Sequence, residues 1–266
     1  MGRTAMALGM IMGGIVLAGI GYFMVGADVR GFNPKNTRNI EKTYTCENEV
    51  RSVRISERSG GIIVQKGKVD HAVVEYIDRK DKSEYEISES DGELLIERKK
   101  EKGFSFFEIN FFSEPVMTVT VPEDLEGELN VSDKSGSIRI SDIGAEQITV
   151  SNMSGSVKLD NAASASDLTV NNTSGSITLK DAEAAGDITV SNTSGSIRVE
   201  NLKSGGNISL KNTSGSIKGT IAGKESDYRI TAKVVSGSCS LKNSDQGSRD
   251  LNVSNTSGSI SLSFTE

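Results

Sequence analysis

The stretch Ser191-Asn192-Thr193-Ser194-Gly195-Ser196-Ile197 decides the fold, because near copies of it recur along the second half of the chain. Its central Ser-Gly-Ser triplet occurs at residues 135–137, 154–156, 174–176, 194–196, 214–216, 236–238 and 257–259. The steps between copies are 19, 20, 20, 20, 22 and 21 residues. A period this constant is typical of a solenoid, in which each repeat forms one coil stacked on the last.

Apolar and polar residues alternate on both sides of each triplet. Around the copy at 194–196, the apolar positions are Ile188, Val190, Ile197 and Val199. Alternation with a period of two predicts two short strands per coil, each with its apolar residues on one face. The inward parity changes across the triplet, so the chain must turn there, and glycine allows a backbone conformation that a side chain would forbid. The glycines assigned to this corner are Gly155, Gly175, Gly195 and Gly215.

Asparagine stands two residues before the first serine in most copies. By parity this column faces inward beside the corner, where stacked asparagines can hydrogen-bond from coil to coil. We interpret the column as structural, and its members are Asn152, Asn172, Asn192 and Asn212. Cys239 occupies a column that otherwise holds Ile or Val. We expect it to be a small buried apolar residue and not a nucleophile.

Residues 46–128 predict a divergent first coil and an antiparallel β cap, followed by regular solenoid repeats over 129–266. Ser59-Gly60-Gly61 has the form of the later corners. Further strands are expected over 71–77, 83–88, 93–98 and 116–121. Asp91-Gly92 is a hairpin turn signal between two of them. A cap hides the exposed terminal strands of an array.

An uncharged stretch of 23 residues runs from Ala5 to Ala27, long enough to cross the apolar core of a bilayer as a helix. We therefore assign residues 1–27 to a transmembrane anchor, which would contact the lipid bilayer through residues 5–27, and residues 28–45 to a linker. The alternative is a cleaved signal peptide, since Val25-Gly26-Ala27 has the small residues of a processing site.

The orientation of this anchor is ambiguous by charge. More basic residues follow the span than precede it, which favours a cytoplasmic solenoid, but long domains cross membranes regardless of nearby charge. We expect a single-pass protein of the cell membrane with the solenoid outside the cytoplasm.

Five phenylalanines crowd into nine residues beside the basic run Arg98-Lys99-Lys100. They are Phe104, Phe106, Phe107, Phe111 and Phe112. One interpretation is that they pack the core of the cap, since aromatic residues make up only 5% of the chain. The other is an exposed apolar loop that contacts a membrane surface or a partner. Two adjacent pairs occur, and a strand would direct one ring of each pair outward.

Composition argues against several classes of function. The net charge of −6, without a long basic run, disfavours a nucleic acid partner. A single histidine, His71, cannot supply a histidine-rich metal site. Cys46 and Cys239 have no CxxC spacing, so no disulfide framework is indicated. We expect no catalytic residue, no metal and no cofactor.

The repeats resemble a bacterial "putative adhesin" family of β-strand-repeat domains of unknown function. The likeness runs from about Val50 to Thr265. It rests on the Ser-Gly-Gly opening, the Gly92–Ile96 strand, Val119-Thr120-Val121-Pro122 and the serial Ser-Gly-Ser-Ile coils. The resemblance implies an all-β protein with a right-handed parallel β-solenoid, often tied to a membrane segment. Some relatives look linked to envelope-stress sensing, and no catalytic residues come with the family.

Three functions are compatible with these features. The favoured one is a membrane-anchored, non-enzymatic envelope protein whose solenoid acts as a binding, adhesion or stress-sensing surface for a protein or a cell-wall polymer. A second is a polysaccharide-acting β-helix enzyme, although such enzymes need paired carboxylates and those here, such as Asp181, are scattered over turns. A third is a self-assembling scaffold or homo-oligomer, because the coil over 260–264 shows no recognisable cap.

Overall fold

The computed structural model describes residues 39–79, 83–99 and 116–265. Residues 1–27, assigned above to a transmembrane anchor, lie outside this described part of the chain. Within the described ranges, no helix is both long and apolar enough to span a bilayer.

The described chain is built almost entirely of β-strands. In chain order these are β1 (Asn39–Thr45), β2 (Ser52–Ser56), β3 (Gly61–Lys66), β4 (Val73–Arg79), β5 (Tyr85–Ser90), β6 (Glu93–Arg98), β7 (Val116–Val121), β8 (Glu128–Asp133), β9 (Ile138–Ala145), β10 (Gln147–Ser154), β11 (Val157–Ser164), β12 (Leu168–Ser174), β13 (Ile177–Lys180), β14 (Glu183–Ala184), β15 (Ile188–Ser194), β16 (Ile197–Ser204), β17 (Ile208–Ser214), β18 (Ile217–Ala222), β19 (Tyr228–Ser236), β20 (Arg249–Ser257) and β21 (Ile260–Thr265). A single 3-10 turn over Glu225–Asp227 precedes β19.

The strands form two sheets that share one core. Sheet 1 has the spatial order β1-β4-β7-β3-β9-β11-β13-β16-β18-β21, with the short β14 beside β11 and β16. Sheet 2 has the order β5-β6-β2-β8-β10-β12-β15-β17-β20-β19. Neighbours are parallel except for β1–β4, β4–β7 and β5–β6. Each regular coil gives one strand to each sheet, which confirms the all-β solenoid predicted from the period.

The core consists of stacked columns of like residues. Parallel pairing joins equivalent positions of successive coils, so Ile148, Leu168, Ile188 and Ile208 align in register and are all fully buried. Burial of one such side chain contributes about 1.5–3 kcal/mol to folding. The repeat therefore supplies the same packing energy in every coil, and the array does not need a thick globular core.

The spatial order of the coils differs from their order in sequence at both ends. At one end, β6 and β7, predicted as cap strands, form a parallel coil outside β2 and β3. The antiparallel strands that cover this coil are β1, β4 and β5. At the other end, the last coil in sequence, β20–β21, inserts between β17–β18 and β19.

Two further predictions need correction. Residues 28–45 were assigned to a linker, but Asn39–Thr45 form β1, which pairs along its whole length with β4. The expectation that the coil over 260–264 has no cap is also wrong. The segment before β20 covers it, since Ser240 N–H donates to Ile260 O at 3.0 Å and Leu262 N–H donates to Ser240 Oγ at 3.0 Å.

A second corner of the coil uses residues that the sequence did not point to. Asp142, Asn161, Asp181 and Asn201 have φ between 47° and 55°, in the left-handed region where Asp and Asn are tolerated. Asn161 Nδ2 donates to Asp142 Oδ1 at 2.9 Å, and Asn201 Nδ2 donates to Asp181 Oδ1 at 2.9 Å. Acid and amide alternate along this corner, so neighbouring carboxylates do not stack on each other.

Candidate functional site

Glycine is required at the Ser-Gly-Ser corner because successive corners touch through their backbones. A Cβ on Gly195, whose φ is +123°, would lie 2.2 Å from the carbonyl oxygen of Gly175 in the neighbouring coil. The N–H of Gly195 donates to Ser214 O at 2.9 Å. The same close approach occurs at Gly155, Gly175 and Gly215. The corners therefore form a rigid spine along the array.

The asparagine column supports this spine from inside. Asn152, Asn172, Asn192 and Asn212 are 4%, 5%, 4% and 2% exposed. Each Nδ2 donates to the corner glycine carbonyl of the neighbouring coil, at 2.9, 3.0, 3.0 and 3.1 Å. The bonds thus connect coils, but they run to the backbone and not from one asparagine to the next. These amide groups therefore bind the backbone of the neighbouring coil.

An ion pair replaces the amides at the β6 end of the same column. Arg98 stacks on Glu57, and its Nη1 lies 2.9 Å from Glu57 Oε1. Tyr85 Oη donates to Glu57 Oε2 at 2.7 Å, and Arg98 Nη2 donates to Glu84 Oε2 at 2.7 Å. Burial, followed by the charge of Glu57 and the bond to it, raises the pKa of Tyr85. This network ties the β5–β6 hairpin to the first coil.

A second buried acid, Asp78 of β4, is hydrogen-bonded to β1 and to the residues just before β5. Asp78 accepts hydrogen bonds from Lys42 Nζ at 2.7 Å, from Ser83 Oγ at 2.8 Å and from the Glu84 N–H at 2.8 Å. Burial alone would raise the pKa of Asp78, but the hydrogen bonds from Glu84, Lys42 and Ser83 outweigh it and lower that pKa. The carboxylate is therefore held ionised as an anchor of the cap.

The outward side of the Ser-Gly-Ser corner is a continuous surface that we call the serine edge. It consists of the outward-facing residues of seven stacked segments, in spatial order 130–139, 149–158, 169–178, 189–198, 209–218, 252–261 and 231–240. Most of these outward residues are Ser, Thr or Asn. Equivalent positions repeat about every 4.8 Å along the array, the usual distance between strands.

Basic residues are concentrated on the serine edge, and exposed acidic residues are absent from its segments. Asp133 is the one acidic residue in its seven segments, and that side chain is buried. The segments contain seven basic residues, in a chain whose net charge is −6. They are Lys134, Arg139, Lys158, Arg198, Lys211, Lys218 and Lys233. Within the described part of the chain, only Lys158 among them has a carboxylate partner, Asp160 at 3.4 Å.

A trough of about 540 Å³ follows the sheet 2 side of the serine edge. Lys134 lies at one end of its lining and Lys211 at the other, with Met153, Thr173 and Thr193 between them. These two lysines are four strands apart in sheet 2, or roughly 19 Å. The trough therefore offers hydroxyl groups between two cations, along the direction in which the coils stack.

The five phenylalanines from Phe104 to Phe112 lie outside the described residues. The ends of their segment are described: β6 ends at Arg98 in sheet 2, and β7 begins at Val116 in sheet 1. In the regular coils this step between sheets is made by a Ser-Gly-Ser corner, and between β2 and β3 by Ser59-Gly60-Gly61. The Phe-rich segment thus lies in sequence between a strand of sheet 2 and a strand of sheet 1.

The remaining candidate residues are not brought together into a reactive cluster. His71 is exposed, and Asp181 is an exposed corner residue bonded to Asn201. Among the described residues, no three His, Cys, Asp or Glu side chains lie close enough to hold a metal ion.

The two cysteines have opposite environments. Cys239 is exposed, so the prediction that it fills the core is wrong: it pairs in register with Ile260 of β21, but no described strand covers its other side. Cys46 is buried, and burial, with a smaller effect of Glu89, raises the pKa of its thiol to about 12.

Comparison with solved structures gives distant neighbours. A "putative cell adhesion protein" from Clostridium sporogenes is 14% identical, with 86% of this chain and 100% of the other covered and a TM-score of 0.36. A "putative adhesin" from Bacteroides fragilis is 15% identical, with 85% and 98% covered and a TM-score of 0.40. A "putative lipid binding protein" from Parabacteroides distasonis is 15% identical, with 86% and 98% covered and a TM-score of 0.41.

The family assignment rests on the sequence match and not on these distant structures. No curated protein matches the chain. The Toastrack DUF4097 family model matches residues 50–266, which contain both sheets except β1. The match begins and ends close to the limits expected from the repeat motifs, Val50 and Thr265. The chain belongs to the Toastrack DUF4097 family, whose function is unknown.

Proposed function

We propose that this protein is a non-enzymatic binding module of the bacterial cell envelope, in which the solenoid presents the serine edge to a partner. The observation that carries the proposal is the repetition of one polar, carboxylate-free surface over seven stacked coils. A repeated surface suits a ligand that is itself extended or repeated, such as a protein filament or a cell-wall polymer.

The rigidity of the surface supports a binding role. Corner glycines and inward asparagines fix each coil to the next through short hydrogen bonds. A ligand that binds such a surface does not have to order it first, and preorganisation lowers the entropic cost of association. The outward hydroxyl groups are thereby held at constant spacing.

Anchoring to the membrane is part of the proposal. The uncharged stretch over residues 5–27 has the length of a transmembrane helix and would hold the solenoid at the membrane, on the extracytoplasmic side. The phenylalanines between Phe104 and Phe112 are a second proposed contact, with the membrane surface or a partner. Replacing Phe106 and Phe111 by serine should then weaken that association. The far-ultraviolet circular dichroism spectrum, which reports the folded β-structure, should stay unchanged. Unfolding of this variant would favour a core role.

The binding function is tested by co-sedimentation with cell-envelope material. Full-length protein in detergent micelles is mixed with purified bacterial envelope fragments, and the sedimenting fraction is compared with that of an unrelated detergent-solubilised protein of similar charge. Saturable retention above this control is expected. Retention equal to the control would refute an envelope-binding function.

The orientation is tested by labelling of thiols in intact cells. Exposed Cys239 should react with a membrane-impermeant maleimide, whereas buried Cys46, with its raised thiol pKa, should stay unlabelled in the folded protein. A Cys239→Ser variant supplies the control for background. Labelling that appears only after cell lysis would place the solenoid in the cytoplasm and contradict the proposed orientation.

An enzymatic role is tested with the carboxylate named above. If the protein cleaves polysaccharide, Asp181→Ala should abolish turnover of the substrate. The bond from Asn201 to Asp181 gives this carboxylate a structural role at the corner, and we expect no turnover by either form.

A further inference from the structure

We infer that the serine edge binds a linear polyanion, a glycan or polyol chain bearing carboxylate or phosphate groups, laid along the direction of coil stacking. This deepens the proposed function and rests on it, because it names the ligand class of the same surface. The inference starts from the segregation of charge: seven basic residues and no outward-facing acid on one edge of an acidic protein.

The basic residues form two rows that flank the corner. On the sheet 2 side, Lys134 and Lys211 mark the ends of the trough. On the sheet 1 side, Arg139 and Lys218 are likewise four strands apart, roughly 19 Å, with Arg198 on the strand beside that of Lys218. None of these five has a carboxylate partner within the described part of the chain. Their attraction for an external anion is therefore not already neutralised.

The uncharged residues between the two basic rows can hydrogen-bond to the hydroxyl groups of such a ligand. Serine and threonine hydroxyls both donate and accept hydrogen bonds, as the hydroxyl groups of a sugar or polyol require. Ser194, Ser196 and Thr193 are repeated at equivalent positions in neighbouring coils, so each repeat unit of a polymer would meet a similar set of groups. A flexible polymer can adjust its own spacing to the 4.8 Å period.

Other partners fit the serine edge less well. Its seven segments contain no Phe, Tyr or Trp, so it has no platform on which nucleic acid bases could stack and no aromatic anchor of the kind enriched at protein interfaces. Its large exposed apolar side chains are Met153 and Val235, too few for insertion into a bilayer. An extended, hydrophilic and negatively charged chain agrees with all three observations.

The test compares two variants with the same net charge. The edge variant carries Lys134→Gln, Arg139→Gln, Lys211→Gln and Lys218→Gln. The matched control carries glutamine at four basic positions outside the serine edge: Lys68, Lys99, Lys203 and Lys224. Binding of the full-length protein is measured against poly(glycerol phosphate) and polygalacturonate, with dextran as a neutral polymer, phosphatidylglycerol vesicles as a membrane surface and an oligothymidylate as a nucleic acid.

The expected result is binding to one or both anionic polymers that weakens as salt is raised, because salt screens exposed charges. The edge variant should bind at least about tenfold more weakly, since each exposed pair contributes a small factor and four are lost, while the control variant should bind like the natural protein. The polymer that is bound distinguishes phosphate from carboxylate as the recognised group.

Several results would overturn the inference. Equal weakening of both variants would show that net charge alone matters, and equal binding of dextran would show that charge does not. Edge-dependent binding of vesicles or of the oligothymidylate in place of the polymers would assign the surface to another ligand class. Retention on envelope fragments that persists in the edge variant would reject recognition of a polyanion by these basic residues, while the proposed binding function of the serine edge stands. If the natural protein is not retained on envelope fragments at all, both the polyanion inference and the proposed binding function are rejected.

Discussion

Replacement of Gly195 by alanine should destabilise the solenoid by about 3 kcal/mol. The new Cβ would force alanine into a backbone conformation that costs of order 1–3 kcal/mol. It would also lie 2.2 Å from Gly175 O, where ordinary van der Waals contact needs at least 3.4 Å, so the two corners must move apart. That movement weakens the bond from Asn192 Nδ2 to Gly175 O and the bond from Gly175 N–H to Ser194 O, at about 0.5–1.5 kcal/mol each. Alanine also lowers the conformational entropy of the unfolded chain, which offsets about 0.4–1 kcal/mol of this loss.

Two measurements check this value. Urea denaturation followed by far-ultraviolet circular dichroism gives the loss of global stability. Amide hydrogen exchange in β12 and β15 shows whether opening is local, as expected when each coil contacts only its neighbours. Ser194→Ala is the matched control, since it changes the adjacent exposed residue of the same corner. If Gly195→Ala and this control agree within about 0.5 kcal/mol, close approach of the corners does not constrain the fold.

Three further predictions concern charged groups. Glu57→Ala should cost about 3 kcal/mol in urea denaturation, because it leaves the mostly buried guanidinium of Arg98 without its 2.9 Å partner. The lowered pKa of Asp78 means that its ionised form stabilises the fold above the ordinary carboxyl pKa of about 3.9, and this stability is lost as pH falls through the lower folded value. Asp78→Asn should therefore flatten the acid side of the stability profile. Asn161→Asp should cost less than about 1 kcal/mol, and less still in high salt, since it opposes a second carboxylate to that of Asp142.

Each of these has a control and a contrary outcome. Glu97→Gln alters an exposed neighbour of Arg98 and should leave the free energy of unfolding nearly unchanged. An equal loss of stability in Glu57→Ala and Glu97→Gln would show that the buried pair of Glu57 and Arg98 does not stabilise the fold. An unchanged acid profile in Asp78→Asn would mean that other carboxylates govern acid unfolding. A loss in Asn161→Asp that is independent of salt would point to the missing amide donor and not to charge repulsion.

The repetitive part of the fold could be predicted from sequence because period and parity are local signals. A constant step near 20 residues fixes the coil, and alternation around Gly195 fixes which side chains face the core. The inward asparagines followed from the same parity. Their acceptors did not, because a glycine carbonyl in the next coil carries no sequence signal.

The order of coils at the two ends could not be predicted in the same way. Parallel pairing matches any coil edge to any other, so the pattern of apolar residues is satisfied whether β20–β21 lies outside or inside β19. Cys239 was misplaced for the same reason, since its copy of the motif is the outermost one: Cys239 pairs with Ile260 on one side and is exposed on the other.

The charge segregation of the serine edge was visible in sequence only after the corner had been located. Counting charges along the chain gives a net value of −6 and hides it. Sorting residues by their position relative to the corner separates the seven basic residues from the acids, most of which lie at the other turns or in the cap. The whole-chain charge disfavoured a nucleic acid partner but did not reveal that the serine edge is basic.

The exchanged coils at the end of the array bear on how the solenoid resists mechanical load. A force applied beyond Thr265 acts on β21 and then on β20, which is held between β17 and β19 in sheet 2. The outermost strand, β19, is reached from both sides by continuous chain, so its detachment releases a tethered loop and gains less entropy than a free tail would. Tension would therefore peel β21, the last strand of sheet 1, and would then have to pull β20 out from between two neighbours before the array could unravel.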